Sequence, residues 1–299
     1  MCALLLGACV VEPPLPGEPA SRVVALVERA PGGLDPRFTI DATSMNISRM
    51  VFSALVSVDN ETLSPTLDLA ERIEADPEDP RRQFVTLRSG IRFHDGHPLT
   101  AEDVEWTYRS VLDPALGSPY RPDYAARLRD VRRDPDDPSR VLFELHRPYA
   151  TFRTDLVLGI VPRHAMDSSG RFPADTFIGT GPFRYVARHA DREIVLEASD
   201  ETGRPPAPVR WLVFRVIADE GTRLLALLGG SADILLGGVS PILLDRLAEE
   251  ADLTVHTRSS IGFAYLGLNL RVGVLTDPRV RRALSLALDR DSIIQHRYR

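Results

Sequence analysis

From Arg210 onward, short apolar runs alternate with stretches whose apolar residues recur at helical spacing. The alternation predicts four strands and two helices, namely strands at 211–217, 233–236, 253–257 and 263–270 and helices at 222–228 and 241–249. Strands that alternate with helices in this way are typical of a sheet covered by helices. The sequence therefore predicts α/β architecture for this part of the chain.

The first half of the chain has similar local signals. Strands are expected at 23–27, 84–87, 91–93 and 141–146, and a helix at 45–55. The clearest helix follows Thr100, an N-cap residue with Asp103 three positions later, while Leu99 and Val104 occupy the positions of a hydrophobic staple. A last helix is predicted after Asp277, where Pro278 occupies the first helical position.

Composition excludes several classes of function. The chain has 299 residues, enough for two domain-sized cores, and its net charge of -6 gives no attraction to phosphate backbones. No basic run stands out, so nucleic acid is not expected as a partner. All 36 basic residues are arginines, which argues against a lysine Schiff base or a P-loop lysine.

Both cysteines lie at the extreme N-terminus, so no disulfide is expected within the body of the chain. Residues 1–9 have the character of the end of a signal peptide, and Leu6-Gly7-Ala8-Cys9 resembles a bacterial lipobox, in which the cysteine is acylated. We therefore predict lipidation at Cys9, a lipid anchor in a membrane, and a periplasmic or cell-surface location. The proline-rich residues 10–21 are predicted to form an extended tether.

No catalytic, metal or cofactor site is predicted. His94 and His97 flank a turn instead of sharing a helix face, and no third ligand has recognisable spacing with them. The glycine-rich segment Gly179 to Pro182 contains no lysine, and Pro182 removes an amide donor that a phosphate loop needs. The sequence therefore favours a binding protein over an enzyme.

Several segments occur in the order found in one family of transport proteins. They are Leu34-Asp35-Pro36, Phe84 to Arg88, Gly90 to Gly96, Pro98 to Val104, Gly179 to Phe183, Leu268-Asn269, Asp277 to Leu284 and Ala287 to Arg290. Together they resemble the family 5 extracellular solute-binding proteins, the group that binds oligopeptides, dipeptides and nickel chelates. Ile73 departs from the tryptophan usual in that family, and the family continues well beyond the length of this chain.

The resemblance implies a periplasmic-binding-protein-like α/β fold of the class II type, with an inserted α+β subdomain and an incomplete second lobe. The expected division is a signal remnant at 1–9, a tether at 10–21, lobe I at 22–45 and 155–268, the inserted subdomain at 46–154, and the start of a truncated lobe II at 269–299. The protein is expected to act as a monomer.

In such a protein, two lobes close over a ligand and present it to the permease and ATPase of an ABC importer. An extended peptide can pair its main chain with exposed strand edges. The candidate ligand-binding residues are Gly33, Leu34 and Asp35 after the first strand, Met45 on the following helix, and Phe263, Tyr265 and Asn269 in a later strand. Each also has a structural interpretation, as a residue of the core or of a turn.

Three alternatives remain open at this point. The same fold could bind a nickel chelate or another small solute, the chain could be a truncated or structural envelope lipoprotein without a ligand, or it could be a soluble hydrolase. The last helix has an apolar stripe from Val280 to Leu288 with nothing evident to cover it. The chain as given is therefore not expected to close on a ligand with native affinity.

Overall fold

The computed structural model describes residues 21–59, 62, 64–190, 192–205, 207–257 and 265–297. These residues form two compact units, one that ends at Leu236, hereafter unit 1, and one that begins at Gly237, hereafter unit 2. The predicted domain ranges place the end of lobe I later, at 268. Within the described residues, no helix combines the length and the apolar composition that crossing a bilayer requires.

The regular elements are numbered in chain order. The strands are β1 (Arg22–Val27), β2 (Val56–Val58), β3 (Pro65–Leu67), β4 (Ala70–Ala75), β5 (Arg82–Leu87), β6 (Leu128–Arg133), β7 (Arg140–Leu145), β8 (Phe183–His189), β9 (Glu193–Ala198), β10 (Trp211–Val216) and β11 (Ile234–Leu235). The helices are α1 (Ala42–Val51), α2 (Ala101–Leu112), α3 (Arg121–Arg127), α4 (Glu220–Leu228), α5 (Pro241–Ala248), α6 (Pro278–Ala287) and α7 (Arg290–Arg297).

The main sheet of unit 1 has five strands in the order β11-β1-β10-β9-β8. Strand β1 runs parallel to both β10 and β11, whereas β9 and β8 continue the sheet in antiparallel pairs. A strand with neighbours on both sides and helices on both faces is expected to be apolar throughout. The last four residues of β1 are all buried, which agrees with its central position.

The residues of β1 contribute alternately to two apolar layers. Ala25 and Val27 pack with Ile47 and Val51 of α1 on one face, together with Leu34 from the loop after β1. Other residues of the sheet pack on the opposite face, namely Val24, Leu26, Val195 and Val213, with Ala226 of α4 against them. The period of two along a strand sends successive side chains to opposite faces and so produces the two layers.

A second sheet in unit 1 is antiparallel, with the order β4-β5-β7-β6. Helix α2 covers it, and Val104, Tyr108 and Val111 pack there with Val131 and Phe143 of the sheet. The carboxylate of Asp103 accepts hydrogen bonds from the Thr100 main-chain N–H at 3.0 Å and from its hydroxyl at 2.8 Å. The predicted start of this helix is confirmed.

Unit 2 consists mainly of helices, with α5 followed by a 3-10 turn at Gly273–Thr276 and by α6 and α7. Asp277 caps α6, because its carboxylate accepts a hydrogen bond from the main-chain N–H of Arg279 at 2.8 Å. The predicted capping of this helix is confirmed. Helix α7 was not expected from the sequence, although Asp289 accepts a hydrogen bond from the N–H of Ser292 near its start.

Three predicted strands are wrong in the described residues. Residues 253–257 and 265–270 have no strand structure, and Ile91–Phe93 contributes only the isolated bridge between Arg92 and Pro98. Apolar runs in these places satisfied the pattern for a strand, but no neighbouring strand pairs with them, and pairing with a neighbour is what defines a strand. The α/β fold class itself is confirmed by the mixed sheet and its helices.

Candidate functional site

The parallel strands of unit 1 end together at one edge of the main sheet. Val27 of β1 is opposite Val216 of β10, and Leu26 is opposite Leu235 of β11. The carbonyl of Val27 also accepts a hydrogen bond from the N–H of Ile217 at 3.0 Å. In open α/β sheets, ligands bind outside the carboxyl ends of the strands. The loop at 28–36 begins at this edge and is the first part of the candidate site.

The main chain of Gly33 lies between two anchored peptide groups. The N–H of Gly32 donates to the Ser44 hydroxyl at 3.0 Å, and the Ser48 hydroxyl donates to the Leu34 carbonyl at 2.8 Å. Among the described residues, no hydrogen bond involves the N–H or carbonyl of Gly33, which is half-buried. A Cβ added to Gly33 would have no atom within 4 Å. Helix α1 therefore fixes the loop on both sides of Gly33.

The side chains of the next two candidates serve the structure of unit 1. Leu34 is buried in the core between the sheet and α1. Asp35 accepts hydrogen bonds from Arg37, through Nε at 3.0 Å and Nη2 at 2.6 Å. Arg37 is fully buried, donates to Ser110 of α2 at 3.1 Å, and lies 4.9 Å from the Trp106 ring centroid. The Asp35 carboxylate is thus the counter-ion of a buried guanidinium.

Met45 is half-buried in the first turn of α1, where its N–H donates to the Asp41 carbonyl at 3.0 Å. Asp41 caps this helix and accepts from the Ser44 N–H at 2.8 Å. Burial raises the pKa of Asp41, but the hydrogen bonds that its carboxylate accepts, above all those from Ser44, together hold that pKa below its ordinary value. The carboxylate is therefore ionised at neutral pH, beside the positive end of the helix dipole.

The three later candidates were predicted to lie in one strand. Phe263 lies outside the described residues, as does Cys9, the predicted lipidation site. Tyr265 belongs to unit 2 and is 81% exposed. Asn269 is also exposed in unit 2, and its side-chain oxygen accepts from the N–H of Arg271 at 3.0 Å, so that it supports a turn. The predicted strand through Tyr265 and Asn269 is thus absent.

The glycine-rich segment at 179–181 has a packing role. The N–H of Gly181 donates to the Val51 carbonyl at 2.8 Å, and a Cβ on Gly179 would come within 2.1 Å of that oxygen. Glycine permits this close approach of the segment to the end of α1 because it has no side chain. The N–H of Gly179 donates to His94 Nδ1 at 3.2 Å. Both glycine amides are therefore used internally, which disfavours a phosphate loop.

His94 and His97 have different environments. The Nε2 of His94 hydrogen-bonds the Gly181 carbonyl at 3.0 Å, and burial lowers the pKa of this histidine, although that hydrogen bond acts in the opposite direction. His97 instead lies beside Asp95 and His164. Asp95 and His164 are 69 residues apart. No local spacing in the sequence marks this group of three, so sequence reasoning missed it.

Comparison with known protein families identifies one match. The model of bacterial extracellular solute-binding proteins, family 5 Middle, matches residues 64–299. Protein XP55 of Streptomyces lividans is 31% identical over 93% of this chain and 50% of its own length. The oligopeptide-binding protein AppA of Bacillus subtilis is 29% identical over 86% of this chain and 48% of its own. The chain thus spans about half the length of these relatives.

Solved structures give the same result. The structure of AppA from Bacillus subtilis in complex with a nonapeptide has a TM-score of 0.81 and 27% identity, and covers 91% of this chain and 55% of its own. NikZ from Campylobacter jejuni, in complex with Ni(L-His), has a TM-score of 0.83 and 24% identity. The match covers 93% of this chain and 55% of the NikZ chain. The fold of the chain is thus that of these binding proteins.

Proposed function

Because the chain belongs to the bacterial extracellular solute-binding proteins of family 5, we propose that it captures peptides outside the cytoplasmic membrane for an ABC importer. Its partners in this role are a peptide ligand and the permease and ATPase complex that receives it. The name of the relative AppA, an oligopeptide-binding protein, supports a peptide ligand. Capture and release of a peptide involve no covalent step, so no catalytic group is required.

The main chain of Gly33 is the observation that carries the proposal. Its N–H and carbonyl make no hydrogen bond among the described residues, at an edge where two parallel strands end beside β1. An extended peptide presents the same two groups and can pair with them whatever its side chains are. The anchoring of Gly32 and Leu34 by α1 also lowers the entropy that binding must remove from this loop.

Nuclear magnetic resonance of the full chain labelled with 15N tests this proposal, because it detects peptide binding even when the affinity is low. We expect a soluble nonapeptide of glycine, alanine and serine to shift the amide resonance of Gly33 and its neighbours. Loss of one hydrogen bond worth about 1 kcal/mol weakens binding about fivefold, so Gly33→Pro should weaken it by this factor. Gly33→Ala is the matched control, because it keeps the N–H and its Cβ enters open space.

The wild-type spectrum decides the outcome independently of the variants. Peptide-induced shifts confined to other residues, or no shift at any soluble peptide concentration, would contradict the proposal. The same titration with the nickel–histidine complex examines the alternative ligand class. Shifts with that complex and none with the peptide would replace the peptide by a metal chelate as the ligand.

The lipid anchor is a separate part of the proposal. Acylation of Cys9 would hold the protein at the membrane surface, with residues 10–21 as the tether. Metabolic labelling of bacterial cells with an alkyne fatty acid measures the acylation directly. We expect Cys9→Ala to abolish the label and Cys2→Ala, the matched control, to retain it. Equal labelling of both variants would contradict an anchor at Cys9.

A further inference from the structure

Three side chains that could ligate a metal meet on the surface of unit 1. The Oδ2 atom of Asp95 lies 2.7 Å from Nε2 of His164 and 3.2 Å from Nδ1 of His97. The ligand atoms of all three residues lie within 4.8 Å of one another. The two imidazole rings are 4.0 Å apart between centroids, and their planes differ by 32°. Two ring nitrogens therefore converge on one carboxylate oxygen.

A tight turn holds Asp95 and His97 in place. The N–H of Phe93 donates to the His97 carbonyl at 2.8 Å, and the N–H of Gly96 donates to the Phe93 carbonyl at 2.9 Å. Gly96 has a φ of 86°, a conformation that glycine adopts without strain. The N–H of His97 also donates to Asp95 Oδ1 at 3.2 Å, which leaves Oδ2 directed at the two rings. The turn thus arranges two ligands before any ion arrives.

His164 is held by a different part of unit 1. It lies in a short 3-10 helix at Arg163–Ala165, where the N–H of Arg163 donates to Asp103 Oδ1 at 3.0 Å. Its ring also forms a T-shaped pair with the ring of Phe93, with 5.8 Å between the ring centroids. Asp103 belongs to the first turn of α2. The third ligand is therefore fixed by the same helix that follows the turn carrying the other two.

The cluster is accessible to ions from solution. The side chains of His97, His164 and Asp95 are 60%, 34% and 27% exposed. Three protein ligands leave further coordination positions for water, as in open metal sites. Ligand atoms bound to one ion at about 2.1 Å lie about 3 Å from each other, and both distances from Asp95 to the histidines are of this size.

We propose that Asp95, His97 and His164 form a binding site for a divalent first-row transition metal, with Zn²⁺, Ni²⁺ and Cu²⁺ as its ions. Two imidazole nitrogens and one carboxylate oxygen suit these ions. Mg²⁺ and Ca²⁺ prefer sites made of oxygen ligands and are disfavoured here. This site is separate from the main-chain edge at Gly33 and does not depend on the proposed peptide function.

Metal binding at this site would join two segments of unit 1. The ligands come from the turn before α2 and from the 3-10 helix at Arg163–Ala165, which follows the antiparallel sheet in the chain. An unfolded chain does not hold these three side chains together, so the ion binds the folded state preferentially and stabilises it. Stabilisation of unit 1 is therefore the expected physical effect of the site.

Thermal unfolding tests the proposal in the full chain, prepared without a histidine tag and stripped of metal. Both tryptophans, Trp106 and Trp211, lie in unit 1, so intrinsic fluorescence reports its unfolding. We expect Zn²⁺, Ni²⁺ and Cu²⁺ each to raise the melting temperature, and Mg²⁺ to leave it unchanged. His97→Ala should remove most of the increase and weaken binding by about tenfold or more in calorimetric titrations.

The matched control is His146→Ala, because His146 is exposed and lies outside the cluster. It should keep the full response to metal. Cys2 and Cys9 are present in every protein compared, so any ion that they bind does not affect the difference between variants. His97 is largely exposed, and its substitution is not expected to impair folding without metal.

Electron paramagnetic resonance of bound Cu²⁺ provides a second measurement. We expect nitrogen hyperfine structure from two imidazoles in the wild-type chain and from one imidazole in His97→Ala. A wild-type metal affinity in His97→Ala, an equal response to Mg²⁺, or the absence of any saturable metal binding would each overturn the proposal.

Discussion

Helices α2 and α6 have similar sequence signals and different surroundings. Each begins next to a polar residue that hydrogen-bonds in its first turn, and each carries an apolar stripe. The stripe of α2 is buried against the antiparallel sheet, with Val104, Tyr108 and Val111 at most 1% exposed. The stripe of α6 remains open, and its residues Leu284 and Leu288 are 40% and 39% exposed.

The difference shows that capping and periodicity determine where a helix forms, while a packing partner determines what the helix contributes to stability. Most helical stability in proteins comes from packing an apolar face. Helix α2 has that packing within unit 1, whereas α6 has no buried residue. The two helices should therefore respond differently to the same kind of substitution.

The largest expected difference comes from truncating a buried and an exposed side chain. Tyr108→Ala should lower the free energy of unfolding of unit 1 by about 3–5 kcal/mol, because it leaves a cavity beside Phe143. Leu286→Ala in α6 should change local stability by less than about 0.5 kcal/mol. Hydrogen exchange measured by mass spectrometry separates the two units, because it reports local opening.

Tyr108→Phe serves as the control for Tyr108→Ala. The buried Tyr108 hydroxyl has no hydrogen-bond partner among the described residues. Burial raises the pKa of Tyr108 well above its ordinary value, so the hydroxyl stays protonated and needs an acceptor. We expect Tyr108→Phe to preserve or increase stability. Similar losses of stability in Tyr108→Ala and Leu286→Ala would contradict the proposed difference between α2 and α6.

A smaller effect is expected where a backbone carbonyl limits the space. Gly179→Ala would bring a Cβ within 2.1 Å of the Val51 carbonyl oxygen, and it should cost unit 1 about 1–3 kcal/mol. Gly273→Ala is the control in unit 2, because a Cβ there has no atom within 4 Å. Denaturant titration followed by tryptophan fluorescence measures the first effect. A stability of Gly179→Ala equal to the wild type would contradict the close packing.

The smallest expected effect concerns helix caps. Asp41→Ala removes the acceptor for the Ser44 N–H and should destabilise unit 1 by about 1 kcal/mol at neutral pH. The pKa of Asp41 is lower in the folded chain than its ordinary value of 3.8. Its contribution is therefore fully present above about pH 4 and is lost as the pH falls towards the folded pKa.

Denaturant titrations of wild type and Asp41→Ala at several pH values measure this contribution. We expect the difference between the two proteins to be constant from pH 5 to pH 7 and to shrink below about pH 4. Asp277→Ala extends the comparison to the cap of α6, where tryptophan fluorescence of unit 1 should not change. A pH-independent difference for Asp41→Ala would show that its charge has no part in the cap.

Some elements were predictable because their causes are local. The start of α2 follows from Thr100 and Asp103, and β1 follows from a short apolar run. Strands β8 and β9 were not predicted, although the apolar residues Ile194 to Leu196 of β9 were a signal that could have been used. Conversely, a strand was predicted at 253–257 and is absent from the structure. An apolar run forms a strand only where another strand is available to pair with it.

The candidate site was likewise predictable only in part. The sequence indicated the loop after β1 and its residues Gly33 to Asp35, because turn residues there follow a strand. It did not indicate that the Asp35 carboxylate is committed to the buried Arg37, or that the main chain of Gly33 is the part left open. Those facts depend on contacts with α1 and α2, which come from later parts of the chain.

By itself, the sequence determined the family resemblance, the α/β class and the local starts of α2 and α6, because caps, periodicity and motifs act over a few neighbouring residues. Only the tertiary structure decided which residues cover α2, and that His164 joins Asp95 and His97. The physical reason is that burial and metal ligation depend on distances in space, which residues far apart in the chain acquire only when the chain folds.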